Sequence, residues 1–321
     1  MLAMKVRMSV LIVLLLSVVL LHAEQVEKAQ MLRVEVSLVT VGVRVTDAWG
    51  HEVPDLRAKD FTLYENGVAQ QIEFFSNEEQ PLSLVILLDR SDSMGLAYKL
   101  ERAKAAAQLI VDTSHRESEY LYMIFDIFVV VLDREFTQRR DRVKQAIAAT
   151  ELGQGTRLYD AVLDALERCK RAKYGRQALV VITDGTDQHS HNTLDQMIVA
   201  LQESQVQLYA IGYFSSSEDE IYRKSGPTII LGNNQPIDNP RTVFKRLAKE
   251  SGAEAFFPRS DKELQSDVEK ILKDLRTQYT LAYYPSNPAP DNRYRRIRVK
   301  LRPRGLRVRA RPGYILPSRT R

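Results

Sequence analysis

The chain has 321 residues, 44% of them hydrophobic and 27% charged. That is enough to bury cores in two or three compact units, and too apolar and unrepetitive for a disordered or low-complexity protein. The net charge of +5 is uneven, because Asp291 to Arg321 holds twelve Lys/Arg against one Asp, a local +11 that leaves −6 for the rest. The basic character therefore belongs to one segment and does not mark the whole chain as a nucleic-acid binder. Cys169 is the single cysteine, which excludes an intramolecular disulfide and a multi-thiolate metal cage.

Taken in chain order, Lys5 and Arg7 precede MSVLIVLLLSVVLL, an uncharged apolar run of 14 that leads to His22-Ala23. A basic end, an apolar run of that length and a small residue predict a secretory signal over residues 1–23 and an exported protein, periplasmic or extracellular. Leu21 is larger than a signal peptidase prefers, so the alternative is an uncleaved membrane anchor, although the run is shorter than the ~20 residues a span needs. Residues 24–80 read as an N-terminal β unit. LRVEVSLVTVGVRVTD alternates Val and Leu with polar positions, AWGHEVPDL interrupts it with turn residues, and DFTLYENGVAQQIEFF predicts two short strands joined at Asn66-Gly67.

The pattern changes over residues 81–276. LSLVILLD and QALVVITDG are continuous apolar strands, as expected where both faces of a parallel sheet are covered. KLERAKAAAQLIVDTSH, DRVKQAIAAT, LYDAVLDALERCKRAK and LDQMIVALQES read as helices, and Cys169 is expected to pack in the core from the third of them. YLYMIFDIFVVVLD and QLYAIGYF read as strands, and PRTVFKRLAKESG, EAFFP and DKELQSDVEKILKDLRTQ as a closing helix, strand and helix. Alternating strands and helices predict an α/β fold with a doubly wound, mostly parallel sheet flanked by helices. Residues 215–240, polar and marked by Gly, Asn and Pro, are expected to form a surface loop.

Residues 277–321 form a basic C-terminal stretch of strands. YTLAYYP comes first; then Ile297, Val299 and Leu301 alternate with Arg296, Arg298 and Lys300, and Leu306 and Val308 with Arg307 and Arg309. Such strands need partners at their edges. The simplest arrangement is a small antiparallel β unit built from N-terminal and C-terminal segments, with the α/β domain inserted between them. Tyr294 and Tyr314 read as packing residues, and the arginine face as solvated or turned toward an anionic envelope surface.

In an open α/β sheet, binding groups gather in the loops after the carboxyl ends of the strands. Three such loops carry oxygen: Asp89-Arg90-Ser91-Asp92-Ser93, the segment GQGTRLYDA with Thr156 ahead of a helix, and Asp184 before the Gly185 turn. Asp89, Ser91, Ser93, Thr156 and Asp184 supply three hydroxyls and two carboxylates. An all-oxygen set selects a hard cation, Mg²⁺ first, with Mn²⁺ or Ca²⁺ as alternatives. Each piece alone has an ordinary explanation, since Asp and Ser before helices are N-caps and TDG is a common turn. Asp92 and Asp187 are read as caps, and His189 and His191 as a solvated loop in preference to a transition-metal site.

Asp89-x-Ser91-x-Ser93, then Thr156, then Asp184 resemble the metal-ion-dependent adhesion site (MIDAS) of von Willebrand factor type A (VWA) domains, a Rossmann-like fold, over residues 81–276. The stretch DAWGHEVPDLRAKDFTLYENG further resembles the β unit that precedes the domain in exported bacterial proteins of the VWFA-related Acidobacterial domain group. The resemblance implies that Ser91, Ser93 and Thr156 bind the ion directly, and that Asp89 and Asp184 bind it directly or through water. It also implies that an Asp or Glu of a protein partner completes the coordination, and that the last helix, about 261–276, shifts between affinity states.

An aspartate after an apolar strand also opens phosphotransferases with an aspartyl nucleophile, but those need a second acid two residues on, and Ser91 stands there. No Gly-x-Ser-x-Gly, phosphate-binding Gly-rich loop or His-Glu-x-x-His is present. The expectation is an exported metal-dependent protein-binding module that is not an enzyme and has no nucleic-acid partner. The alternatives are a metal-independent envelope scaffold or, behind that, a hydrolase.

Overall fold

The computed structural model describes residues 38–131, 135–185, 187–230 and 236–318. The expected signal over 1–23 and the start of the N-terminal β unit lie outside the described residues. No helix among those described is long and apolar enough to cross a membrane.

Four short strands come first: β1 (Val39–Thr46), β2 (Phe61–Glu65), β3 (Val68–Gln70) and β4 (Phe74–Ser76). β2 and β3 form the expected hairpin, with Asn66 at φ 49° and Gly67 at φ 87°, the left-handed pair that a two-residue turn requires. The predicted second strand is shorter than its pattern: it ends at Gln70, and Phe74–Ser76 moves to a different sheet.

The α/β domain follows: β5 (Ser83–Asp89), α1 (Lys99–Thr113), β6 (Glu119–Phe125), β7 (Val129–Val131), α2 (Arg140–Ala148), α3 (Leu158–Cys169), β8 (Gln177–Thr183), α4 (Leu194–Glu203), β9 (Gln207–Gly212), α5 (Ser216–Lys224), β10 (Thr228–Ile230), β11 (Pro236–Asp238), α6 (Pro240–Ser251), β12 (Ala255–Phe256) and α7 (Asp261–Thr277). The central sheet runs β12-β9-β8-β5-β6-β7, parallel except for β7. β5 shows why its sequence is continuously apolar. Leu84, Ile86 and Leu88 pack with α1, α2 and α7 on one face, while Val85 and Leu87 pack with α3, α4 and α6 on the other.

Two expectations fail here. The stretch read as one strand over YLYMIFDIFVVVLD is two, because Asp126 Oδ1 accepts from the backbone N–H of Phe128 at 2.6 Å and turns the chain back antiparallel. The expected loop over 215–240 contains α5 and the β10–β11 hairpin. α5 starts in a capping box: Ser215 Oγ accepts from Glu218 N, and Glu218 Oε2 accepts from Ser215 N at 2.7 Å.

The chain closes with β13 (Tyr279–Tyr283), β14 (Tyr294–Leu301), β15 (Arg307–Ala310) and β16 (Gly313–Ile315). N- and C-terminal segments complete one another in two antiparallel sheets, β15-β1-β13-β4 and β16-β14-β2-β3. Val41 lies opposite Leu281, Val43 opposite Ala310 and Leu63 opposite Val299. The two sheets share one core that includes Val41, Leu63, Tyr279, Leu281, Tyr283, Ile297 and Tyr314.

The alternation of β14 has the expected phase, but the arginines are not one solvated set. Arg295 continues the apolar face, 2% exposed, and meets Glu65, which also accepts from the hydroxyls of Tyr283 and Tyr314 at 2.7 Å each. Arg311 is buried too and donates to the carbonyls of Ser204 and Gln202 at the end of α4. Arg309 pairs with Asp274 of α7 and with Glu254. Tyr314 is a packing residue as expected, whereas Tyr294 is 41% exposed.

Candidate functional site

β5 ends between β6 and β8, and their common register brings the loops after β5 and β8 to one edge of the sheet, where the connection between α2 and α3 that carries Thr156 joins them. Asp89 is fully buried there. Its Oδ1 accepts from Ser91 N at 2.8 Å, and its Oδ2 accepts from Thr183 Oγ1 at 2.5 Å. These bonds fold the backbone past Asp89 so that Ser91 and Ser93 turn to the same side, their hydroxyls 3.1 Å apart. Ser93 Oγ then donates to Asp184 Oδ1 at 2.8 Å.

The third loop is fastened to the last strand end. The carbonyl of Thr156 accepts from Gln188 N and His189 N at 3.1 Å each. Thr156 and Asp89 flank Gly185 together, since a Cβ there would stand in ordinary contact, 3.5 Å from both Asp89 Oδ2 and Thr156 Oγ1. The structure thus brings together all five residues singled out from the sequence, and Asp89, Ser91, Thr156 and Asp184 are buried.

Their electrostatics follow from that burial. Asp89 is pushed up to about 7 by desolvation and by the nearby Asp184 charge, against the hydrogen bonds from Thr183 and Ser91. Asp184 is also raised by burial, which outweighs the opposing pull of Lys99 and Ser93. Two buried carboxylates beside hydroxyls form a locus short of positive charge. Among the described residues no three His, Cys, Asp or Glu side chains group into a metal cage. The five residues supply three hydroxyls and two carboxylates, an oxygen set whose chemistry fits a hard divalent cation.

Lys99 is the residue that the sequence reading missed. Its ammonium reaches Asp184 Oδ2 at 2.5 Å, 3% of the residue is exposed, and Glu218 Oε2 lies 3.5 Å away. The signal was present: Lys99 shares the α1 stripe of Ala103, Ala106, Ala107 and Ile110, so a charge stands in core-facing phase. It is delivered by two consecutive non-glycine residues in the left-handed region, Ala97 (φ 51°) and Tyr98 (φ 58°). Each such residue costs about 1–2 kcal/mol.

Other candidates resolve simply. Asp187 accepts from Tyr159 N at 3.1 Å in the first turn of α3 and from the Ser190 hydroxyl, as a cap does. His189 and His191 are exposed, and His191 lies against Asp160 at 3.2 Å. Asp92 opens the short helical turn before α1. Around the site, Leu96, Tyr98, Phe128 and Leu152 expose large apolar surfaces at 66%, 77%, 63% and 49%. Leu96, Tyr98 and Leu152 come from the loops that carry Ser93 and Thr156, and Phe128 from the turn between β6 and β7; a Cβ on Gly95 would stand 2.8 Å from the Leu152 side chain.

The chain is 31% identical over 202 residues to an uncharacterized protein of Borreliella burgdorferi, covering 59% of this chain and 58% of that relative's length. Among solved structures it is similar to a von Willebrand factor type A protein from Catenulispora acidiphila at 13% identity, covering 82% of this chain and 76% of that one, with a TM-score of 0.49. It is also similar to conserved hypothetical protein BatB from Bacteroides thetaiotaomicron at 19% identity, covering 60% and 98%, with a TM-score of 0.45. The von Willebrand factor type A domain family matches residues 83–265, the span that holds the central sheet and every residue of the site. The chain belongs to the von Willebrand factor type A domain family.

Proposed function

We propose that this protein is an exported interaction module that captures an acidic residue of a protein partner through a divalent cation, Mg²⁺ by preference, held by Ser91, Ser93, Thr156, Asp89 and Asp184. Family membership carries the coarser statement, a protein-interaction or adhesion module. The observation that supports the finer one is the convergence of three hydroxyls on two buried carboxylates at the loop edge of the sheet. Bound there, the ion would supply an electrophilic contact for a carboxylate. The protein's own residues do the rest. Thr183 and the Ser91 amide hold Asp89 in place, and the sheet keeps the oxygens preorganised. Leu96, Tyr98, Phe128 and Leu152 offer apolar contact around the acidic residue, so the fitting partner segment is an Asp or Glu flanked by apolar side chains. Capture is favoured over catalysis because family membership points to an interaction module.

The test is calorimetric titration of Mg²⁺ and Mn²⁺ into the parent, Asp184→Ala and Ser91→Ala proteins. One saturable site in the parent, lost with Asp184→Ala and weakened with Ser91→Ala, is the expected result. Parent and variants that behave alike, with no ion-dependent rise in Tm, would leave a metal-independent scaffold as the better reading.

A second surface has its own chemistry. Tyr64, Asn66, Tyr294, Arg296, Arg298 and Lys300 line a cleft of about 480 Å³ with no acidic residue in its lining among the described residues. Lys300 stands over the Tyr64 ring at 5.2 Å. A row of cations between two tyrosines, with no large aliphatic residue to enter a bilayer, suits an anionic polysaccharide of the cell envelope. Polygalacturonate binding that weakens as salt rises and is lost in Arg296→Ala/Arg298→Ala is expected. Binding to phosphatidylglycerol vesicles instead would reassign the surface to lipid.

A further inference from the structure

Lys99 stands where a bound cation would draw on Asp184. Its ammonium is 2.5 Å from Asp184 Oδ2, and 4% of the side chain is exposed. Ser93 occupies the other Asp184 oxygen at 2.8 Å, so both oxygens are engaged. One further carboxylate is within reach: Glu218 Oε2, 3.5 Å from the ammonium and 37% exposed, on the capping residue of α5. The left-handed conformations of Ala97 and Tyr98 set the start of α1 so that Lys99 points inward.

We infer that Lys99 is a built-in counter-cation that competes with the divalent ion for Asp184, and that ion binding releases it toward Glu218. This rests on the reading of the site as a cation site. A divalent ion among the hydroxyls and an ammonium on the same carboxylate would repel each other at close range, away from water. Lysine is a point charge on a flexible stem and can withdraw without moving its backbone. Glu218, already 3.5 Å away, keeps the withdrawn ammonium paired, and because the same oxygen accepts from Ser215 N in the capping box of α5, ion occupancy is felt at the start of that helix. Lys99 thereby offsets one of the two carboxylate charges of the resting site, and the ion binds at the cost of displacing it.

Mn²⁺ binding to the full chain, followed by electron paramagnetic resonance of the free ion, tests this in the parent, Lys99→Met, Glu218→Gln and Asp184→Ala proteins. Lys99→Met is expected to bind roughly tenfold or more tightly than the parent, Glu218→Gln more weakly, and Asp184→Ala not at all. In the parent, which requires no variant to fold, acylation of Lys99 by a water-soluble succinimidyl ester should rise at saturating Mn²⁺, read by mass spectrometry. Equal ion affinity in parent and Lys99→Met, or Lys99 acylation unmoved by bound ion, overturns the inference and leaves the ion site standing. No binding in any of the four proteins removes the ion site itself, and the inference with it.

Discussion

Single residues here are decided by what burial does to their charge. Cys169, on the buried face of α3, has its thiol pushed from 9.0 up to about 12 by desolvation. Below pH 9 both folded and unfolded chains carry the proton, so the thiol adds no pH dependence. Above it the unfolded chain ionises first, and stability falls by about 1.4 kcal/mol per pH unit until the folded thiol titrates. Cys169→Ala should flatten that part of an alkaline denaturation profile, and the native parent should resist disulfide-exchange reagents that label the unfolded chain at once. Lys99 teaches the converse lesson. A lysine in core-facing phase on an otherwise apolar helix stripe is a charge that has found a buried partner, and Asp184 is that partner.

At the scale of elements, the conspicuous feature is the entry to α1. Two non-glycine residues in the left-handed region precede it without a side-chain cap. Ala97→Gly removes a Cβ from that conformation and should stabilise the protein by about 0.5–1 kcal/mol despite the added freedom of the unfolded chain, measured by urea denaturation. A drop in stability would show that the Ala97 methyl packs better than its exposed loop suggests. α5 gives the opposite case: its Ser215–Glu218 capping box satisfies the free amides of a polar helix. Ser215→Ala should cost about 1 kcal/mol, visible as faster amide exchange in α5. The box was legible as Ser-x-x-Glu, but the Gly, Asn and Pro further along the sequence drew the whole stretch into a loop assignment.

Across the whole molecule, the β unit and the α/β domain are joined by buried ions. Asp274 near the end of α7 accepts from Tyr209 at 2.7 Å and pairs with Arg309, and Arg44 stands 3.7 Å away. Arg311 ties β15 and β16 to the end of α4. Asp274→Ala removes the shared partner of Tyr209, Arg309 and Arg44, while Glu254 and Glu52 still hold the two arginines, so the cost should be about 2–3 kcal/mol, below that of a pair left wholly unpaired. The loss should appear as a lowered Tm with faster exchange in α7, β1 and β15. If only α7 loosens while β1 and β15 stay protected, the apolar core of the β unit holds that junction and the ion cluster does not. Motion of α7, which the family resemblance implies, would have to work against these tethers.

Local pattern alone determined the parallel sheet, its flanking helices, the Asn66-Gly67 hairpin and the five oxygen-bearing residues, because apolar periodicity, turn chemistry and strand-end position are encoded within a few neighbouring residues. The split of β6 from β7 was hidden because Asp126 reverses the chain through a side-chain-to-backbone bond inside an apolar run. Long-range geometry decided what remained. Arg311, in phase with Arg307 and Arg309, is buried because the carbonyls at the end of α4 face it, while Arg295, in phase with Ile297, is held in the core by Glu65 and Arg296 and Arg298 stay exposed. Lys99 meets Asp184 only once β5 and β8 lie side by side, since a charge enters a core where another part of the chain supplies its counter-charge.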